Sequence, residues 1–242
     1  MRWLAGILAL LLGANTAMAT PPNVILSAEY GGPTTRYAHG VLGDAAEWST
    51  LSMRVDMCMD CEITQIRTFT LTLPENRVFE DLAPRIIRDE DGLTHVMVVE
   101  SDIALGARLA LYDESGLVDA TPFIGRSNRW LAPIGAADLD GDGLVELAYV
   151  EKPHLSKELK IWRLDQGKLS FVKSKTGFTN HRIDWDYIVG GIRTCAGASE
   201  MITADADWSN VMAITLGDQG LTSRRLAAYS RANIDAAMDC GL

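Results

Sequence analysis

Four short apolar segments of this chain end in an acidic residue: Met53-Arg54-Val55-Asp56, Met97-Val98-Val99-Glu100, Ala148-Tyr149-Val150-Glu151 and Ile202-Thr203-Ala204-Asp205. Successive acids stand 44, 51 and 54 residues apart. A period in that range marks architectures that stack one supersecondary unit on the next. Two further signals keep the same time. Turn sequences rich in Asp, Asn and Gly, residues that tolerate positive φ, follow the next strand: Asp113-Glu114-Ser115-Gly116, Asp165-Gln166-Gly167 and Asp218-Gln219-Gly220, with Pro74-Glu75-Asn76 in the matching place early on. An aromatic opens each unit, namely Tyr37, Phe79, Trp130 and Trp185.

Short β-branched segments between turns run the whole length, so the chain reads as all-β. Each unit holds an opening strand, a turn, the acid-ended strand and a hairpin of two more, which is the blade of a β-propeller. The spacing predicts a small propeller of about four four-stranded blades over residues 35–80, 81–126, 127–176 and 183–226. A β-sandwich with coincidental spacing, or a fifth blade drawn from the N-terminus, are the alternatives. Asn23 to Ser27 is expected to pair with the last unit and close the ring, because closure removes exposed strand edges. A short C-terminal helix is expected from Ile234 to Met238, with Asn233 as its N-cap.

One loop carries chemistry. Asp138-Leu139-Asp140-Gly141-Asp142-Gly143-Leu144-Val145-Glu146 puts carboxylates at positions 1, 3, 5 and 9, with glycines that permit a tight curl. Hard oxygens gathered in this way suit Ca²⁺, which takes 6 to 8 of them. Leu144, at position 7, offers its backbone carbonyl. An EF-hand would need a bidentate acid at position 12 and helical flanks, whereas position 12 is Tyr149 and both flanks read as strands. Four clustered carboxylates repel one another, and a divalent ion is expected to be what makes them tolerable.

The run Pro133-Ile134-Gly135-Ala136-Ala137 leading into that loop, followed by Glu146-Leu147, resembles the FG-GAP/VCBS repeat of integrin-alpha-like propellers over residues 130–162. The resemblance implies one structural Ca²⁺ between the first two strands of the blade, with Asp138, Asp140, Asp142, the Leu144 carbonyl and Glu146 as ligands. The other units depart from the pattern. The second has Ile87 at position 1 and His95 at position 9 around Asp89 and Asp91; the first keeps only Asp44, and the fourth only Glu200.

The N-terminus reads as a signal peptide: Arg2, an apolar run from Leu4 to Leu12, then Ala17-Met18-Ala19 before an expected cut after Ala19. The run is too short to span a bilayer, so the mature chain, residues 20–242, is expected to be a single domain in the periplasm or outside the cell. Losing Arg2 moves the net charge from −10 to −11, which disfavours nucleic acid as a partner. Four cysteines in an exported chain favour disulfides, and three connectivities are possible. Cys58 and Cys61 are close enough to pair locally, leaving Cys195 for Cys240. A redox role for Cys58-x-x-Cys61 lacks the helix that would activate a thiol. His39, His95, His154 and His181 show no metal-ligand spacing, and no nucleophile elbow or phosphate-binding glycine loop occurs.

These readings lead to a monomeric, calcium-stabilised, non-catalytic binding or scaffold module for a protein or glycan ligand. The rival is a hydrolase or lyase acting on an extracellular polymer through carboxylates on one propeller face, for which Asp56, Glu100, Glu151 and Asp205 are the candidates. Equivalent positions on one face make such a ring geometrically sensible, but repeated positions usually repeat for packing. Tyr37, Phe79, Trp130 and Trp185 are expected to wedge between blades, with sugar stacking as the alternative.

Overall fold

The computed structural model describes residues 23–43, 46–58 and 61–242. The expected signal peptide, residues 1–19, and Asp44 lie outside the described residues. The remainder is nearly all-β, with one short helix among the described residues.

Strands β1–β8 form one hydrogen-bonded eight-stranded sheet in two parts, the first and second sheets below; the first part has β2 (Glu47–Asp56) between β1 (Val24–Thr34) and β3 (Ile66–Thr72). Its neighbour contains β4 (Arg77–Phe79), β5 (Arg85–Arg88), β6 (Thr94–Asp102), β7 (Gly106–Asp113) and β8 (Gly116–Ala120). β4 bridges the two, since Phe79 pairs with Trp48 on one side and Glu100 on the other. The third sheet is a plain meander of β9 (Leu131–Ala137), β10 (Val145–Glu151), β11 (Glu158–Asp165) and β12 (Lys168–Thr176). The fourth holds β13 (Phe178–Thr179), β14 (Gly191–Cys195), β15 (Ala198–Asp205), β16 (Asn210–Gly217) and β17 (Gly220–Ala228), followed by α1 (Arg231–Met238).

The acid-ended segments are β2, β6, β10 and β15, each the strand around which its sheet is organised. Turn chemistry behaves as its residues dictate: Gln166 (φ 49°) and Gly167 (φ 73°) both take the left-handed conformation and join β11 to β12 with Asp165 opposite Lys168, the two-residue turn that matches strand twist. The strand that precedes the acid-ended one is continuous in the first and third sheets, as β1 and β9. In the second and fourth it is split, so that β4 and β5 pair with opposite ends of β6, and β13 and β14 with opposite ends of β15. Phe178 pairs with Asp205 as Phe79 pairs with Glu100. The aromatic that opens the fourth unit is therefore Phe178; Trp185 stands in the following loop, stacked on Tyr187 with ring centroids 4.5 Å apart.

β6 and β10 are apolar without interruption from Val96 to Val99 and from Leu147 to Val150 because both of their faces are buried. On β6, Val96 and Val98 face a cluster with Leu51, Met53 and Val55 of the first sheet, while Met97 and Val99 join Leu131, Leu147 and Tyr149 of the third. On β10, Leu147 and Tyr149 look back, and Ala148 and Val150 look forward to Met201 and Ile214 of the fourth. The far face of the fourth sheet, with Ile202, Val211 and Ala213, is covered by Ile234 and Ala237 of α1. The layers thus succeed one another in chain order and end on a helix.

Two expectations are corrected. The N-terminal segment does not clasp the last unit: Val24 and Ile25 pair with Asp56 and Val55 of β2, so β1 supplies the first sheet's own outer strand. The helix starts earlier than expected, with Ser230 as N-cap, its hydroxyl accepting from the Asn233 N–H at 3.1 Å. Asn233 lies inside the helix and its side-chain amide donates to the Ala228 carbonyl.

Candidate metal centre and its surroundings

The loop between β9 and β10 is curled by its own side chains. Gly141 and Gly143 adopt φ of 84° and 92°, a region costly for residues bearing Cβ. Asp138 brackets them, one carboxylate oxygen accepting from Gly141 N–H at 2.7 Å and the other from Gly143 N–H at 3.0 Å. Asp142 accepts from Leu144 N–H at 2.9 Å. Glu146 projects from the start of β10, is fully buried, and accepts from Leu139 N–H at 2.8 Å across the loop. Burial pushes its carboxyl above the ordinary range, against the opposing pull of the Leu139 N–H and of Arg163.

Oxygens of Asp138, Asp140 and Glu146 come within 4.8 Å of one another, which places this triad to hold a metal ion. The loop borders a cavity of about 500 Å³, closed on its far side by Ser199 and Thr215 of the fourth sheet. Each carboxylate oxygen has two lone pairs, so those that accept one backbone N–H keep capacity for a cation.

One partner was not anticipated. Arg163 on β11 stands directly opposite Glu146 in the strand register. Its Nε donates to Glu146 at 2.6 Å, Nη1 lies 3.0 Å from an Asp142 oxygen, and Nη2 donates to Asp140. A single guanidinium thus gathers three of the four carboxylates. The expectation that only a divalent ion makes these charges tolerable is corrected by this arrangement, because Arg163 offsets part of the repulsion by itself. Asp138 is held instead by the two glycine N–H groups.

The degenerate loops also carry internal partners. In the second unit His95, at the place of Glu146, meets Asp89 at 2.9 Å, and both are buried. Asp89 also brackets Asp91 and Leu93 through their N–H groups. In the fourth, Glu200 accepts from Arg193 at 2.7 Å and Arg224 at 2.9 Å. Burial raises the Glu200 carboxyl, but hydrogen bonds from the two arginines outweigh it and hold the group below the ordinary range.

The strand-end acids are tied down in place. Asp56 accepts from the N–H groups of Cys58 and Gln65, and Asp205 from those of Ser209 and Asn210. Glu100 is engaged by Arg77, Arg108 and the Tyr112 hydroxyl, and Glu151 by Lys152 and Lys160. Cys58 bonds to Cys61 and Cys195 to Cys240, with Cα separations of 5.4 and 5.9 Å. The first pair sits between two strands, away from any helix that would activate a thiol. No helix of the described residues is long and apolar enough to cross a membrane. Compared with known proteins, the sequence matches no family model and no curated protein.

Proposed function

We propose that this chain is an exported, calcium-stabilised, non-catalytic binding module whose stacked meanders are FG-GAP/VCBS-like propeller blades. The observation that carries the calcium reading is the acidic triad, with carboxylate oxygens of Asp138, Asp140 and Glu146 within 4.8 Å of one another. The donors are hard oxygens on a loop already curled by its own hydrogen bonds, which is the chemistry Ca²⁺ selects. One guanidinium against four carboxylates leaves a net negative charge for a divalent ion to neutralise. Asp142 and the Leu144 carbonyl complete the ligand set of this reading.

The ion's role is mechanical. It fastens β9 to β10, and β10 contributes side chains to clusters on both of its faces. Two disulfides suit an oxidising compartment, either periplasmic or extracellular.

The test is thermal unfolding with calcium and with EGTA. An ion that binds only the folded loop stabilises by about 2.7 kcal/mol at 100 times Kd. Asp140→Ala is expected to abolish most of the calcium-dependent rise in Tm. Asp89→Ala lowers Tm by unpairing His95 but leaves the calcium-dependent rise intact. An unchanged wild-type Tm in EGTA would sink the calcium reading.

A further inference from the structure

Three histidines that sequence spacing left scattered meet at the end of the sheets opposite the acidic loop. His39 comes from the loop after β1, His154 from the β10–β11 turn and His181 from the loop after β13. His39 and His154 border a cavity of about 310 Å³ together with Arg129 and Lys152. His154 and His181 border a second, of about 460 Å³, with Lys157, Arg182 and Trp208. Pro153, His154 and Ile183 belong to both, so the two form one elongated groove.

Hydrogen bonding fixes the imidazoles. His181 Nε2 lies 2.8 Å from the Trp185 carbonyl, which only accepts, so that nitrogen carries the proton. Its bare Nδ1 therefore accepts from His154 Nε2–H at 2.9 Å, and Nδ1 of His154 is left as a lone-pair acceptor on a ring that borders both cavities. Burial, with the neighbouring charges of His181, His39 and Lys157, pushes His154 down to about 4. It stays neutral, hence an acceptor, at ordinary pH. His39 Nδ1 meets the buried Glu80 carboxylate, and its ring borders the first cavity.

Around this acceptor the groove is cationic, on a chain of net charge −10. Arg129 and Lys157 donate to backbone carbonyls, and the Arg182 guanidinium lies 4.6 Å from the Trp208 ring centroid. None of these three is in an ion pair with a carboxylate among the described residues. Asp207 is the acid on the groove wall, and Asp184 is near enough to act on His154. Lys152 and Lys157 both hold left-handed backbone, at φ of 48° and 50°, strain of the kind that gathers at functional sites. On the rim, Leu155 and Ile183 are each 61% exposed.

We propose that this groove binds an acidic oligosaccharide. Unpaired cations take the uronate carboxylates, Nδ1 of His154 accepts from a sugar hydroxyl, and Leu155, Ile183 and Trp208 cover the apolar C–H faces. An acidic peptide satisfies the cations but offers the His154 acceptor only backbone N–H groups, and it lacks the apolar C–H faces of a sugar ring. The proposal rests on the reading of the protein as a binding module and names its ligand class.

The probes are a hexamer of D-galacturonic acid, its fully methyl-esterified form and hexaglutamate, titrated calorimetrically into the mature protein in calcium. The acidic sugar is expected to bind at least about tenfold more tightly than either control, since each charge-assisted contact is worth about a factor of ten or more. Arg182→Gln and Lys157→Met are each expected to weaken it by about tenfold. Arg182 is exposed, so its replacement keeps the fold, which an unchanged Tm verifies. Lys168→Ala, which removes an exposed cation on β12 outside the groove, leaves the affinity unchanged. Equal binding of the ester, tighter binding of hexaglutamate, or no binding of the acidic sugar overturns the proposal. Absence of sugar binding beside an intact calcium-dependent Tm removes the ligand class while leaving the calcium reading standing.

Discussion

At the scale of single residues, Arg163 alters what the acidic loop requires. A divalent ion entering among Asp138, Asp140 and Glu146 meets a guanidinium already bonded to Asp140, Asp142 and Glu146. The two cations compete for the same oxygens, so the affinity of the loop for calcium is set by a difference. Arg163→Met is expected to tighten calcium binding by about tenfold, the equivalent of losing one charge-assisted contact to be displaced. The same substitution lowers Tm in EGTA, because three carboxylates then face one another without a cation. Calorimetric titration of the variant decides the matter: weaker calcium binding would mean that Arg163 orients the ligands and does not compete for them. In the second unit the partner is built into the loop itself, where buried His95 takes Asp89.

Among the elements, α1 shows how a short segment is made to stay. Eight residues are too few to hold a helix in water unaided. Ile234 and Ala237 are buried against the fourth sheet, Ser230 caps the first turn, and Arg193 donates to the Ala237 and Leu242 carbonyls at the other end. Arg193 is itself held by Glu200, so the helix end is tied to the place that Glu146 fills in the third unit. Cys240 then fastens the segment to Cys195 across a sequence separation of 45. Closing a loop of that length is worth about 4 kcal/mol in the chain-entropy account. Replacing both cysteines by serine is expected to lower stability by an amount of that order and to expose the chain near Arg231 to trypsin. Unchanged cleavage would show that burial and capping suffice.

For the molecule as a whole, stability resides between layers. β6 and β10 each lend alternate side chains to the layers before and behind them, so a loss at one junction weakens the strand on which the next junction depends. Leu147 is fully buried between the second and third sheets. Leu147→Ala is expected to cost about 2–5 kcal/mol, transfer and cavity contributions together. Urea unfolding followed by tryptophan fluorescence and by circular dichroism should give one coincident, shifted transition. Two separated transitions would mean that the sheets on either side of Leu147 unfold independently.

What the sequence determined by itself is the part governed by consecutive residues. The organising strands and their terminal acids, the Gln166-Gly167 turn, the curled Asp138–Glu146 loop and the local Cys58–Cys61 closure all follow from side-chain alternation, from φ preference or from short reach. Ser230 against Asn233 shows where even local signals divide: both residue types cap helices, and only the extended backbone at Ser230 (φ −155°, ψ 160°) made it the cap. Tertiary structure alone decided the rest. Arg163 reaches the acidic loop because strand register sets it opposite Glu146, 17 residues away. β1 joined its own sheet because its apolar Ile25 finds a buried face beside Val55. The histidine groove draws on loops from three sheets, and no spacing along the chain encodes which loops adjacent layers will bring together. Layer order is fixed by burial of both strand faces, a property of the assembled core that no single repeat contains.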